Sequence, residues 1–340
     1  MYSACFIIPY FGKLPDNFEV FLRTCEINSE FDWMIVTNDN TNYEYPSNVH
    51  VKYIEFSQFV DSVQTCFDFP VAIPQPYKIC DFRPAFGKIF EKELYGYQFW
   101  GHCDSDQYFG KISNFITENI LNSYDKILCL GHFTLFRNIP EINNLYLIED
   151  KAYKQGYKDV LTYEGHWIFD EWPKSKRTSI NRISKQENIK TYICPECFCD
   201  LVPFKSLFRR TIFDFQTETW ALDIVKSEIY LWNNGRLFRC YMDSKKLKTE
   251  EILYVHIRQR KLHYKNYNKE KKSFLIIPDS LLSADSFSDK EIIKILRKTD
   301  FRGIFHPDEI LCQMYGIKYY CIRAAEELKS FYIDFMKGEM

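Results

Sequence analysis

The sequence predicts an α/β protein built on an open mixed sheet flanked by helices. Three observations carry this. Short, nearly continuous apolar runs suited to buried strands recur at residues 3–10, 32–37 and 49–56. Amphipathic stretches at 15–25 and 57–67 alternate with them, giving strand, helix, strand, strand, helix. A later aromatic approach, Phe99-Trp100, runs into Gly101-His102-Cys103 and then turns sharply polar at Asp104-Ser105-Asp106.

The first strand reads Ser-Ala-Cys-Phe-Ile-Ile-Pro-Tyr and stops before Gly12. Pro15-Asp16-Asn17 offers a helix start, and Phe18, Phe21, Leu22 and Cys25 then repeat at helical spacing. The second strand, Asp-Trp-Met-Ile-Val-Thr, ends in Asn38-Asp39-Asn40. The third alternates over 49–56, and Ser57 caps a helix with Val60, Val63, Cys66 and Phe67 on one face. Ligands of open α/β sheets bind beyond the carboxyl ends of the strands. That rule lines up Tyr10, Phe11 and Gly12, then Thr37 and Asp39, with Asp104 and Asp106 along one edge.

At a strand end, residues i and i+2 point the same way, so Asp104 and Asp106 present two carboxylates together with Ser105 turned aside. Adjacent carboxylates repel unless a cation lies between them, and a hard divalent ion, Mn²⁺ or Mg²⁺, suits oxygen ligands. A polar loop after a strand is the plain alternative. A phosphatase of the haloacid dehalogenase type would carry its Asp-x-Asp near the chain start, which this chain does not.

Further on, helices are expected over 88–95, 112–121 and from Pro140 to about 152, and strands over 126–130, 191–202 and 236–242. Lys78, Asp81 and Arg83 are charges in an otherwise apolar stretch, either a helix surface or a donor-binding group. Asp170 and Glu171 lie between aromatics in Trp-Ile-Phe-Asp-Glu-Trp. They could act as acid or base, hold a sugar hydroxyl, or sit solvated. A strand over 250–261 would put Tyr254, His256, Arg258 and Arg260 on one face. That face is either solvated, or His256 completes the metal shell and the arginines grip phosphate oxygens. Ser288 with Glu291 forms a capping box for a helix through Arg297, and a last helix over about 320–336 reads as a docked tail.

The chain has 340 residues and a formal net charge of −2, so no nucleic-acid partner is expected. Its 30 Phe and 24 Tyr fill a core or serve carbohydrate surfaces. No apolar run is long enough to span a membrane, which leaves peripheral membrane contact open. No basic n-region with a long apolar stretch opens the chain, so its 12 cysteines read as free thiols in a cytoplasmic protein. Cys194-Pro195-Glu196-Cys197 has zinc-like spacing but lacks a second pair.

Residues 6–12, 76–87, 99–110, 131–138 and 254–261 together resemble the GT-A-fold glycosyltransferases. More narrowly, the chain is similar to a bacterial group associated with capsule and surface-polysaccharide gene clusters. The Asp81/Arg83 pair upstream also resembles toxin-type and mannosyl-type retaining transferases, although Asp81-Phe82-Arg83 is one residue shorter than their Asp-x-x-Arg. The resemblance spans about residues 1–265. It implies a GT-A-like, Rossmann-like domain there, with a nucleotide-binding half (1–130) and an acceptor-binding half (131–265), and a C-terminal helical extension (266–340). It implies a hexosyltransferase-type enzyme that uses a nucleotide-sugar donor, usually a uridine diphosphate sugar, and a saccharide or lipid-linked glycan acceptor. Mn²⁺ or Mg²⁺ would be held by Asp104, Asp106 and His256. Asp104, Asp170 and Glu171 are the catalytic candidates. Tyr10, Phe11, Gly12, Thr37, Asp39, Lys78, Asp81, Arg83, Arg258 and Arg260 are the donor-binding candidates. Two other functions use the same residues: a metal-dependent phospho-sugar or nucleotidyl transferase, and a catalytically inactive sugar-nucleotide-binding protein.

Overall fold

The computed structural model of the chain describes residues 3–173, 176–202, 207–215, 217–223, 228–258 and 260–304, the last few by backbone alone. Strand β1 (Ala4–Tyr10), helix α1 (Phe18–Glu26), β2 (Phe31–Thr37), β3 (Val49–Tyr53) and helix α2 (Phe56–Gln64) follow in the expected order. Helix α2 starts one residue before Ser57, because Glu55 and Gln58 form the capping box instead. Next come β4 (Phe99–Cys103), β5 (Gln107–Phe109), β6 (Lys126–Leu130), β7 (Phe133–Arg137) and β8 (Thr191–Tyr192).

The first sheet has the order β3-β2-β1-β4-β7-β6-β8. β1, β2, β3 and β4 run parallel, and β7 is antiparallel to both β4 and β6. This is the open mixed sheet that the alternating pattern predicted. Its two faces bury two apolar clusters, one around Phe6, Trp33, Phe99 and Leu135, the other around Ile7, Val36, Trp100 and Phe136. Phe99 and Trp100 therefore pin β4 from opposite sides, each worth roughly 1.5–3 kcal/mol of burial or more. Gly101 is required between them, since a Cβ there would lie 2.1 Å from the Thr134 carbonyl oxygen.

The chain continues with β9 (Phe198–Leu201), β10 (Arg210–Asp214), β11 (Thr219–Leu222), β12 (Glu228–Asn233), β13 (Arg236–Asp243), β14 (Lys246–Ile252), β15 (Tyr254–His256), β16 (His263–Asn266), β17 (Ser273–Ile277) and β18 (Ser280–Ala284). The second sheet has the order β11-β10-β9-β15-β5, and the third β14-β13-β12-β17-β18-β16. The third sheet takes strands from both sides of residue 265. Helix Asp289–Ile304 follows, opened by the Ser288–Glu291 box.

Several expected elements are shorter. Only Phe86–Ile89 of the 88–95 region is helical, and the rest turns tightly up to Gly96, where φ is +91°. The 112–121 region divides into a 3-10 turn, Ile112–Asn114, and a helix, Glu118–Ser123, capped by the Thr117 hydroxyl. The region after Pro140 is a helical turn, Pro140–Asn143, with a 3-10 turn, Leu145–Leu147. Pro195 opens a 3-10 turn that divides β8 from β9. The strand expected over 250–261 breaks at Leu253, so β14 and β15 join different sheets. Cys194 and Cys197 are disulfide-bonded with Cα atoms 5.4 Å apart, rather than free thiols or zinc ligands. The helix expected over 320–336 lies outside the described residues. Among the described residues no helix is long and apolar enough to cross a membrane.

Candidate functional site

The site forms where the first two sheets meet. β4 ends at Cys103, the chain turns through Asp104 and Asp106, and β5 then enters the second sheet. β5 pairs with β15, and β15 with β9, so Gln107, His256 and Asp200 share one rung. Side chains on one rung point to the same face. Two positions away along each strand, Phe109, Tyr254 and Phe198 form the next rung on that face, with the Phe198 and Tyr254 rings stacked at 5.1 Å. That aromatic layer excludes water from beneath the polar one.

His256 Nε2 lies 3.2 Å from Asp106 Oδ1 and 3.6 Å from Asp104 Oδ2. Its Nδ1 lies 2.9 Å from Asp200 Oδ1. Burial alone would lower this imidazole, but Asp106 and Asp200 outweigh it and push it up to about 10. Asp200 is wholly buried, yet Arg258, His132 and His256 hold its carboxyl well below the usual range. The Tyr10 hydroxyl is raised by burial and by the charges of Asp106 and Asp39, which brings the end of β1 to the same edge.

A second group adjoins the first. Arg83 Nη2 donates to Asp104 Oδ1 at 2.5 Å, and Nη1 donates to Asp170 Oδ2 at 2.9 Å and to the Gly131 carbonyl at 2.7 Å. Burial pushes the Asp170 carboxyl up to about 8, against the pull of Arg83 and with help from Glu171. Gly131 makes room for both acids, since a Cβ there would meet Glu171 Cγ at 2.6 Å and Asp170 Oδ2 at 2.7 Å. Beneath them Asp81 accepts the backbone N–H groups of Trp167 (2.7 Å) and Phe169 (3.0 Å) and the Lys78 ammonium (2.9 Å). The intervening Ile168 has φ of +68°, a conformation β-branched residues rarely take. That turn aims both N–H groups at Asp81 and delivers Asp170 to Arg83.

The sequence candidates thus fall into groups. Asp104, Asp106, His256, Arg83 and Asp170 meet directly, and Glu171 stands beside Gly131. Lys78 and Asp81 pair with each other, buried below the Asp170 loop. The Gly12 N–H donates to Asn38 Oδ1, and Asp39 accepts the Leu14 and Thr41 N–H groups and shapes the loop after β2, where Thr37 is buried. Phe11 packs on Phe56 and Phe59, 5.3 and 5.1 Å away. Arg258 binds Asp200 through Nε at 2.8 Å and through Nη2. Arg260 turns away, donating to the Val202 carbonyl and lying 5.0 Å over the Phe208 ring.

The sequence reading missed Asp200, Gln107 and His132. Asp200 carried a signal, a lone carboxylate inside the apolar run Phe198-Cys199-Asp200-Leu201, since a fully buried charge needs partners. Gln107 Nε2 donates to His132 Nδ1 at 3.2 Å, a contact between β5 and the turn that joins β6 to β7.

Asp104, Asp106 and His256 each offer a ligand atom within 4.8 Å of the others, as do His132, Asp200 and His256. Either group of acid and histidine side chains could hold a metal ion. No curated protein matches the chain. Among solved structures it is similar to mouse xyloside xylosyltransferase 1 in its apo form. That match has a TM-score of 0.36 and 8% identity, over 60% of this chain and 88% of that one. A family profile matches residues 6–285, most of the length, and the chain belongs to that family of unknown function (DUF6625).

Proposed function

We propose that the chain is a metal-dependent glycosyltransferase. It moves a sugar from a nucleoside diphosphate donor, a uridine diphosphate sugar, to a saccharide or glycan acceptor during glycan synthesis. The observation that carries this reading is the meeting of His256 with Asp104 and Asp106, although Asp106 and His256 are 150 positions apart in sequence. The three side chains converge beyond the carboxyl ends of parallel strands, where ligands of such sheets bind.

Asp104, Asp106 and His256 would hold Mn²⁺ or Mg²⁺, which supplies positive charge against a diphosphate leaving group. Around it the chain's own residues divide the work. Tyr10, Gly12, Thr37 and Asp39, at the ends of β1 and β2, would border the nucleoside. Arg258, fixed by Asp200, adds positive charge beside His256. Arg83 spans Asp104 and Asp170 and offers its guanidinium edge to the transferred sugar. Asp170 or Glu171 takes the proton of the acceptor hydroxyl if the reaction inverts. A carboxyl raised towards neutral pH, as at Asp170, is suited to that task.

The test is a panel of nucleotide sugars, each incubated with the full chain in Mn²⁺ and in chelator. Melting temperature and nucleoside diphosphate release are followed. A uridine diphosphate sugar is expected to raise the melting temperature only with the cation, since ligand at 100 times its Kd adds about 2.7 kcal/mol. No shift and no release with any donor would refute the reading. Release of pyrophosphate instead would make the protein a nucleotidyl transferase.

A further inference from the structure

Asp200 has no exposed surface and lies on the rung next to His256. Its Oδ1 accepts from Arg258 Nε at 2.8 Å and faces His256 Nδ1 at 2.9 Å. Its Oδ2 accepts from Arg258 Nη2 and from the Thr211 hydroxyl at 2.9 Å. Two carboxylate oxygens offer about four lone-pair directions, and these contacts occupy them. Arg258 thus holds both oxygens of Asp200, which makes the His132–Asp200–His256 group a poorer ligand set than Asp104, Asp106 and His256. The imidazole nitrogens sit on opposite sides of the ring, so a ring tied to Asp200 through Nδ1 turns Nε2 towards Asp104 and Asp106. The distances of 3.6 and 3.2 Å agree with that orientation.

We infer that Asp200 is a positioning residue for the cation site. By accepting the Nδ1 proton of His256 it keeps that proton in place when a cation displaces the one on Nε2, so that the lone pair then left on Nε2 faces the space between Asp104 and Asp106. Arg258 and Thr211 hold the carboxylate in place for this. The inference rests on the reading that Asp104, Asp106 and His256 bind a divalent cation. Such carboxylate partners of ligating histidines typically contribute a factor of about 10–100 in metal affinity.

The test is titration of Mn²⁺ into the full chain, read by the paramagnetic resonance signal of the free ion. Wild type is compared with Asp200→Asn, His256→Gln, the double variant and Asp106→Asn. Asp200→Asn is expected to weaken Mn²⁺ by about 10–100-fold, and to add nothing in the His256→Gln background, because it acts through that ring. Affinity within twofold of wild type, or an undiminished further loss in the double variant, overturns the inference. The underlying metal reading fails separately, through an Asp106→Asn variant that binds Mn²⁺ as wild type does. A second measurement needs no Asp200 variant to fold. In ¹⁵N-histidine-labelled wild type loaded with diamagnetic Zn²⁺, His256, assigned by its loss in His256→Gln, should keep its proton on Nδ1 alone. A proton on Nε2 overturns the inference.

Discussion

Arg83 and Asp104 are joined at 2.5 Å, and the same guanidinium reaches Asp170 at 2.9 Å, so one cation links the acid pair after β4 to the loop that follows Ile168. Arginine is suited to this because its planar fork donates in several directions at once, whereas lysine offers a single point charge.

Arg83→Gln removes that cation from between two acids. Losing one partner of a buried pair costs about 3 kcal/mol or more. Asp170 limits the cost, because its carboxyl is already raised to about 8 and can take up a proton. The double variant Arg83→Gln/Asp170→Asn should therefore be little more stable than the single one, since Asn replaces a carboxyl that is already neutral. Urea unfolding midpoints at neutral pH test this, and a double variant that regains most of the lost stability would refute it.

Arg258 and Arg260, equivalent in a simple alternating strand, are expected to behave differently. Arg258→Ala should weaken nucleoside diphosphate binding on the order of tenfold, as expected for a charge-assisted contact. It should also lower stability, because Asp200 loses its main counter-charge. Arg260→Ala removes a contact with Val202 and Phe208 and should leave that affinity unchanged. Calorimetric titration of uridine diphosphate with Mn²⁺ separates the two, and equal losses in both would restore the alternating face.

Lys126 is buried among Asn181, Ser184 and the Phe136 ring, and burial pushes its ammonium down to about 8. In the unfolded chain a lysine titrates near 10.4. Between these values the unfolded chain binds more protons, so this group penalises folding fully below pH 8 and progressively less as pH rises towards 10. Stability of wild type relative to Lys126→Met should therefore shift in wild type's favour between pH 7 and 10, by about 3 kcal/mol at most. Parallel pH profiles of the two urea midpoints would contradict this.

Much of this was legible in local sequence. The parallel strands of the first sheet announced themselves as apolar runs, and the i, i+2 rule brought Asp104 and Asp106 together at a strand end. His256 was legible as the polar residue heading a basic face, but the face itself ends there. Arg258 has φ of +49°, so alternation fails two residues past β15, and Arg260 turns away. Asp200 was not legible as a partner of His256, because the pairing of β9, β15 and β5 joins segments far apart in sequence. Such register is fixed by the packing of Phe198, Tyr254 and Phe109, which no local window contains. The Asp170 loop escaped for a similar reason. Its shape depends on a carboxylate at Asp81, 86 residues before Trp167, and on an unfavourable φ that no pattern of residue types encodes.

Asp106→Asn bears most directly on the proposed chemistry. Asn keeps the shape and one carbonyl oxygen, but removes the charge that would hold a divalent cation. In the free protein Asp106 is one of the acids that raise His256, and a carboxylate oxygen of it lies within 4.8 Å of one of Asp104. Losing its attraction to the imidazolium and relieving its repulsion with Asp104 act in opposite directions. The melting temperature without ligand is therefore expected to change little. Mn²⁺-dependent binding of uridine diphosphate and hydrolysis of the donor should fall together, by tenfold or more, since one charge-assisted ligand is worth roughly 1.5–3 kcal/mol. Calorimetric titration of uridine diphosphate into wild type and Asp106→Asn, each with Mn²⁺ and with chelator, measures the effect. A gain from Mn²⁺ of equal size in both proteins would remove Asp106 from the cation site, and with it the role proposed for His256.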